Sequence, residues 1–229
     1  MKRVLEKPGK WTRKALKNYD RLKSLAIVDR HFTNRALDLC PKKSKLRLLD
    51  VASGPGQVLS LVPSGHVKHG IDLDPLAVEF AREKDKKTKY AVANSEQLPY
   101  RKGFFDLVMC HSLLHHLEEP RKTIEETLRV AKPGGAVFFR DLCRPESEEA
   151  LQKILQDYAA GYDEENKRLF ENSLRSSFTL REWKSLFPKD FHCSKISFYL
   201  VAEKPSESVK LELPGAATRL RFKRSRRNA

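Results

Sequence analysis

Leu48-Leu49-Asp50-Val51-Ala52-Ser53-Gly54-Pro55-Gly56-Gln57 is the stretch on which the fold turns. Leu46 to Val51 is a short apolar run, the pattern of a strand buried on both faces in a parallel sheet. It enters a turn holding two glycines, which accept positive φ and let the backbone approach a ligand closely. In open α/β sheets, ligands bind at the carboxyl ends of the strands, where such turns lie.

The same strand-then-helix rhythm continues outward. Val67 to Leu73 reads as a second strand, after which Asp74 caps a helix with Pro75 in its first position, running to about Lys84. A third strand begins at Tyr90, and Phe105 to Cys110 forms a fourth. A helix over residues 120–131 stops at Lys132-Pro133-Gly134-Gly135, and Ala136 to Leu142 makes a fifth strand. Parallel neighbours need crossover connections, so this alternation specifies an α/β, doubly wound, mostly parallel sheet of Rossmann-like form. Upstream, residues 11–39 place apolar side chains every three or four positions, the mark of an N-terminal amphipathic helix. Downstream, residues 146–187 lose strand character and read as a helical insertion, with Thr179 and Glu182 as a capping box. Phe191 to Ala202 is either one long strand or a tight hairpin. The expected organisation is a basic helical segment over 1–45, a main domain over 46–204 and a basic tail over 205–229.

Charge follows that division. Among 229 residues with net charge +15, residues 1–47 carry +11, residues 204–229 carry +6 and the middle carries −2. Basic ends on a near-neutral body point to an anionic partner, nucleic acid or an acidic membrane surface, with RNA or a ribonucleoprotein favoured and Phe222 available to stack among the tail arginines. The tail composition buries little apolar surface and implies disorder when free. No apolar run approaches the ~18 residues of a membrane span. The four cysteines, Cys40, Cys110, Cys143 and Cys193, contain no CxxC pair, which gives no metal site and fits a reducing, cytoplasmic home. Glu6 and a lack of serine beside Met1-Lys2-Arg3 argue against an organellar leader.

The first loop also discriminates between nucleotide cofactors. A dinucleotide rests its pyrophosphate on G-x-G-x-x-G, but the third glycine position here is Leu59, and Asp50 would repel the phosphates. S-adenosylmethionine (SAM) brings an ammonium and a sulfonium, to which an acidic residue beside the glycines is attractive. Asp72, ending the second strand, suits a ribose diol in either case.

Five segments in order, LLDVASGPGQ, GIDLDPLAVEFA, NSEQLPY, FDLVMCHSLLHHLEEP and LRVAKPGGAVFFRDL, resemble the class I SAM-dependent methyltransferases over residues 46–142. The resemblance implies that Gly54 and Gly56 line the methionine moiety with Ala52 beside them, that Asp50 orients its amino group and that Asp72 holds the ribose. It places Asn94 and Ser95 at the adenine rim, Asn94 standing where many relatives have Asp, with Leu73 and Leu98 around the ring. Cys110 and His111 open the loop facing the sulfonium. His111, His115 and His116 are candidate general bases, with Asp141 a further candidate and Arg140 available to pair with it or with an anionic acceptor. Tyr19, Tyr158 and Tyr162 read as core or lid packing. The loop after the fourth strand has no NPPY-like sequence and the chain has no Pro-Cys motif, which disfavours amino-methylation of bases and cytosine-5 methylation. The body resembles small-molecule and quinone-biosynthesis O- or C-methyltransferases while the ends read as RNA-binding. A SAM-binding assembly factor without catalysis is the other alternative.

Overall fold

A computed structural model describes residues 1–6, 11–20, 23–42 and 45–209. Seven strands make one sheet in the order β3-β2-β1-β4-β5-β7-β6. They are β1 (Arg47–Val51), β2 (Val67–Asp72), β3 (Lys89–Val92), β4 (Phe105–His111), β5 (Ala131–Leu142), β6 (His192–Ile196) and β7 (Tyr199–Lys204). Strands β1 to β5 pair in parallel, and the β6–β7 hairpin adds antiparallel to β5. The doubly wound expectation holds.

Both faces of the sheet are covered, as its unbroken apolar strands require. Leu48, Met109 and Phe138 point to one side with Val28, Phe32 and Ala36 of α2 (Lys23–Asp38), whereas Leu49, Val108 and Phe139 point to the other with Trp183 and Phe187. Period-two alternation in β1, β4 and β5 thus feeds two cores from one set of strands. A crossover helix α5 (Pro120–Val130) packs on the second face.

Local chemistry sets the element ends. Asp74 caps α4 (Pro75–Lys84) by accepting from the Leu76 and Ala77 amides. Thr179 and Glu182 form the expected capping box on α8 (Leu180–Leu186). The insertion contributes three helices, α6 (Glu148–Tyr158) and α7 (Glu164–Ser176) ahead of α8, with turns between them.

Two expectations change, and one open alternative is decided. The N-terminal helix is two, α1 (Arg13–Asp20) and α2, because they serve different surfaces: Leu16 of α1 packs with Ala77 and Phe80 of α4, while α2 lies on the sheet. Leu22, Leu25 and Ala26 lie outside the described side chains. Strand β5 begins at Ala131 rather than Ala136, since Ala131 already pairs with Phe105 and the Pro-Gly-Gly run is taken up by a register shift. Residues 191–202 form a hairpin, turned at Ser197 and Phe198 with Ser197 at φ 59°. The tail expected to be disordered falls, from residue 210 onward, outside the described residues.

Helix α2 is locked to the sheet by charge. Arg35 meets Glu203 of β7 with two bonds, 2.8 and 2.6 Å, and Glu203 has no solvent exposure. Removing one member of such a pair leaves a bare charge indoors and costs about 3–5 kcal/mol. Arg35→Met should therefore destabilise the protein by about 3 kcal/mol or more in urea unfolding, and adding Glu203→Leu should recover most of that loss. A double variant no more stable than the single would disprove the assignment.

Candidate active site

The carboxyl ends of β1, β2, β4 and β5 bring the quoted motifs together. The chain leaves β1 through Ala52 at φ 59° and leaves β4 through Ser112 at φ 51°, two non-glycine residues in left-handed backbone on adjacent strands. Such strain persists only where surrounding structure enforces it and clusters at functional sites. The turn after β1 is tied to β2: the Ser53 amide donates to Ile71 O (2.8 Å), and the Gly54 amide donates to Asp72 Oδ2 (2.8 Å). Asp72 Oδ1 accepts from the Asp74 amide at 2.9 Å. Asp72 is thus fixed beside the glycine turn, its pKa raised by burial against the lowering effect of these amides.

The two glycines have different duties. A side chain at Gly54 (φ +50°) would meet nothing within 4 Å, whereas at Gly56 (φ +80°) its first carbon would lie 2.3 Å from the Tyr90 hydroxyl. Gly54 opens the space beside Asp72. Gly56, expected from the resemblance to line the cofactor, has a packing reason to be glycine.

Buried polar atoms without protein partners mark the rest of the site. Among the described residues, Asp50 Oδ1, Ser53 Oγ, Gln57 Oε1 and both ring nitrogens of His111 make no hydrogen bond. Unsatisfied buried groups of this kind call for an absent ligand or water. Asp50 is 1% exposed. Burial first, then the nearby charges of Asp29 and Asp72, push its carboxyl well above the usual range, with Arg140 opposing. A cationic ligand would relieve that strain. Burial and then Arg140 hold the His111 imidazole well below its ordinary value, hence neutral.

Arg140, at the end of β5, is itself paired with Asp29 of α2 at 2.9 Å, and lies over the rings of Phe32 and Tyr199, 5.3 Å from each centroid. This corrects the expectation that Arg140 is available to Asp141 or an acceptor anion. Asp141 instead holds His115: its Oδ1 lies 2.5 Å from His115 Nδ1, and Oδ2 accepts the His115 amide at 3.2 Å. Burial pushes the Asp141 carboxyl up, but His115 and the Leu142 amide outweigh it and leave the pKa low. His116 is held down at about 4 by burial and by its neighbour His115. The Asp29–Arg140 and Asp141–His115 pairings escaped the sequence reading because nothing local in the chain signals them.

The adenine-loop candidates lie on a braced segment. Ser95 Oγ and Thr123 Oγ1 are 2.9 Å apart, Asn94 Oδ1 accepts from the Glu96 amide, and Glu126 and Arg129 of α5 bind the backbone of Leu98 and Tyr100. Leu73 is 70% exposed, so its role is not core packing, whereas Leu98 and Cys110 are buried. Tyr162 packs on the first core, and Tyr158 stacks edge-on against Phe198.

Comparison with known proteins identifies the domain and its fold. Residues 49–139 match the family model described as a methyltransferase domain. Over 145 residues the chain is 32% identical to a ubiquinone biosynthesis O-methyltransferase of Xanthomonas oryzae, covering 61% of this chain and 59% of that one. It is 33% identical over 121 residues to the tRNA (carboxymethyluridine(34)-5-O)-methyltransferase of Arabidopsis thaliana, covering 52% of this chain and 29% of the relative. The chain therefore spans less than two thirds of these relatives. Among solved structures, the plantazolicin methyltransferase BpumL in complex with S-adenosylhomocysteine (SAH) superposes with a TM-score of 0.63 at 19% identity, covering 80% of this chain and 72% of that one.

The open space at Gly54, the fixed Asp72 carboxylate and the unpartnered Asp50 fit a cationic nucleoside such as SAM. Gly54→Val should weaken SAM binding at least tenfold in calorimetry. In the alanine pair, Gly54→Ala should cost about 1–2 kcal/mol for its left-handed backbone. Gly56→Ala should cost more by about 1–3 kcal/mol of overpacking against Tyr90. The reverse order of stability, or undiminished SAM affinity in Gly54→Val, would contradict this division of labour. With a parallel sheet, a glycine turn and carboxylates arranged in this way, residues 49–139 match a methyltransferase domain, and the sheet has the fold of the class I SAM-dependent methyltransferases.

Proposed function

We propose that this protein transfers a methyl group from SAM to a nucleophile on RNA or a ribonucleoprotein. The observation that carries methyl transfer is the set of buried, unpartnered acceptors around the space at Gly54, with Asp50 and Asp72 supplying negative charge for a cation. SAM supplies a methyl carbon already activated by positive sulfur. The chain's own task is then to hold the acceptor in line and, for a hydroxyl or acidic C–H acceptor, to take up a proton. Asp72 would bind the ribose diol, Asp50 the ammonium, and the backbone over residues 94–95 the adenine edge. His111 is the favoured proton acceptor: it ends β4, it is neutral, and its ring nitrogens are uncommitted. His115 is clamped by Asp141 and acts as a positioning residue.

The acceptor reading rests on charge segregation. Part of the N-terminal excess serves the fold itself. Arg3 donates to three backbone carbonyls, Arg13 pairs with Glu79 and Glu83, Arg35 with Glu203, and Arg47 lies over Phe104. The tail, with +6 over residues 204–229, carries the proposal. A tRNA-modifying relative lends support. No helix among the described residues is long and apolar enough to cross a membrane. A cytoplasmic location is proposed from the dispersed cysteines. Burial of His111 favours a second reading, a small-molecule acceptor.

Two experiments test these readings. His111→Asn should lower turnover by ~10²-fold or more while SAM affinity is retained. Because the imidazole titrates below its ordinary 6.5, the wild-type acid limb should lie below pH 6.5 and disappear in the variant. Retained turnover would leave positioning alone as the source of catalysis. For the acceptor, neutralising about six phosphates gives a log–log salt slope of roughly −4 on single-stranded RNA. Deleting residues 215–229 should flatten that slope and leave SAM affinity unchanged. A slope that survives deletion, or no RNA binding at low salt, would favour the small-molecule reading.

A further inference from the structure

The N-terminal hexapeptide is built into the fold next to the candidate site. Met1 donates its ammonium to Glu146 O at 3.3 Å, and the Val4 amide donates to Arg175 O at 3.3 Å. Arg3 reaches Ser176 O (2.7 Å), His115 O (3.2 Å) and Leu117 O (3.0 Å), with its guanidinium 4.0 Å from the Phe178 ring centroid. This strap lays Glu6 against the 3-10 turn Leu114–His116. One donor atom from each of Glu6, His115 and His116 lies within 4.8 Å of the other two.

Two details distinguish the cluster from an ordinary ion pair. His116 Nδ1 is buried without a hydrogen-bond partner among the described residues, although Glu6 Oε2 lies 3.6 Å away. His115 Nδ1 is committed to Asp141, which leaves Nε2 as the nitrogen free to coordinate. A carboxylate on the far nitrogen of a histidine is the usual outer support of a metal-ligating imidazole, fixing its tautomer and raising its basicity. Glu6 has an outer support too, since its Oε2 accepts from Ser173 Oγ at 2.8 Å. Two imidazoles and one carboxylate make a donor set used for zinc and its first-row neighbours, with a further coordination position open.

We propose that Glu6, His115 and His116 bind one divalent transition cation of the zinc class, which clasps the N-terminal strap to the turn after β4, with Asp141 orienting His115 as the supporting carboxylate. Bonds of about 2.0–2.2 Å to a tetrahedral ion set the donors about 3.3 Å apart, so the three side chains must draw together by roughly an ångström or more. Side-chain rotation suffices for this, because the Glu6 and His116 side chains are 11% and 22% exposed and open the cluster to solvent.

The test uses the full-length, tag-free chain, stripped with chelator and titrated with zinc against a chromophoric competitor, then with cobalt for its spectrum. One equivalent should bind, with cobalt d–d bands of nitrogen and oxygen ligation and no sulfur-to-cobalt charge-transfer band. Glu6→Gln and His116→Ala should each weaken zinc at least tenfold, and Asp141→Asn should weaken it by about 10–100-fold. Zinc should raise the Tm of the wild type and not that of Glu6→Gln, as ligand binding to the native state alone requires. Glu6→Gln keeps the side-chain size, and an unchanged circular dichroism spectrum and metal-free Tm will verify its fold. Absence of stoichiometric zinc binding, wild-type affinity retained in Glu6→Gln and in His116→Ala, or a thiolate band placing the ion on cysteine would each overturn the proposal.

Discussion

The negative charge of Asp50, buried at the end of β1 and unbalanced by the folded chain, is the constraint around which this site is organised. Asp29 and Asp72 add to it, and Arg140 opposes it from β5 while committed to Asp29. Two unit charges 4 Å apart interact by about 4 kcal/mol at an effective dielectric of 20, so one guanidinium cannot balance three carboxylates cheaply. Without a ligand the set is relieved by holding a proton on Asp50, and an ionised Asp50 needs a positive charge from outside the chain. An ammonium beside a sulfonium meets that need, and a pyrophosphate would aggravate it.

The fold supplies the means of holding such an unfavourable arrangement. Strands β1, β4 and β5 are apolar on both faces, and that packing fixes the backbone from which Asp50, His111 and Arg140 project. The sheet order places β1 between β2 and β4, so the glycine turn, Asp72 and His111 come from neighbouring strand ends. Helix α2 closes the arrangement through Asp29, and the Arg35–Glu203 pair anchors that helix. Stability at the sheet centre thereby offsets strain at its edge.

Much of this was legible in the sequence because the signals are local. Apolar runs alternating with helical stretches pointed to the five parallel strands, Asp74-Pro75 to the start of α4, and the missing third glycine with Asp50 to the cofactor class. What escaped was set by partners distant along the chain. His115 and Asp141 are separated by 26 residues, and nothing in either segment announces the other. Arg3 and Glu6 look like part of a basic arm until folding brings them beside the 3-10 turn. Gly56 reads as a ligand glycine in the motif, but its hydrogen side chain is demanded by Tyr90 of β3. The division between α1 and α2 depends on two receiving surfaces, α4 and the sheet, which periodicity along one helix cannot distinguish.

The measurement that bears most directly on this account is SAM affinity as a function of pH in wild type and Asp50→Asn, by calorimetry in buffers of different ionisation enthalpy. A cation favours the ionised carboxylate, so binding should lower the pKa of Asp50 and release protons. Affinity should therefore rise with pH above the ordinary carboxylate range while the amino group of the cofactor stays protonated. SAH, lacking the sulfonium charge, should show a smaller rise. In Asp50→Asn the affinity should be weaker and its pH dependence reduced. If Asp50→Asn binds SAM as tightly as wild type with the same pH dependence and proton release, the buried carboxylate is not what the cofactor answers.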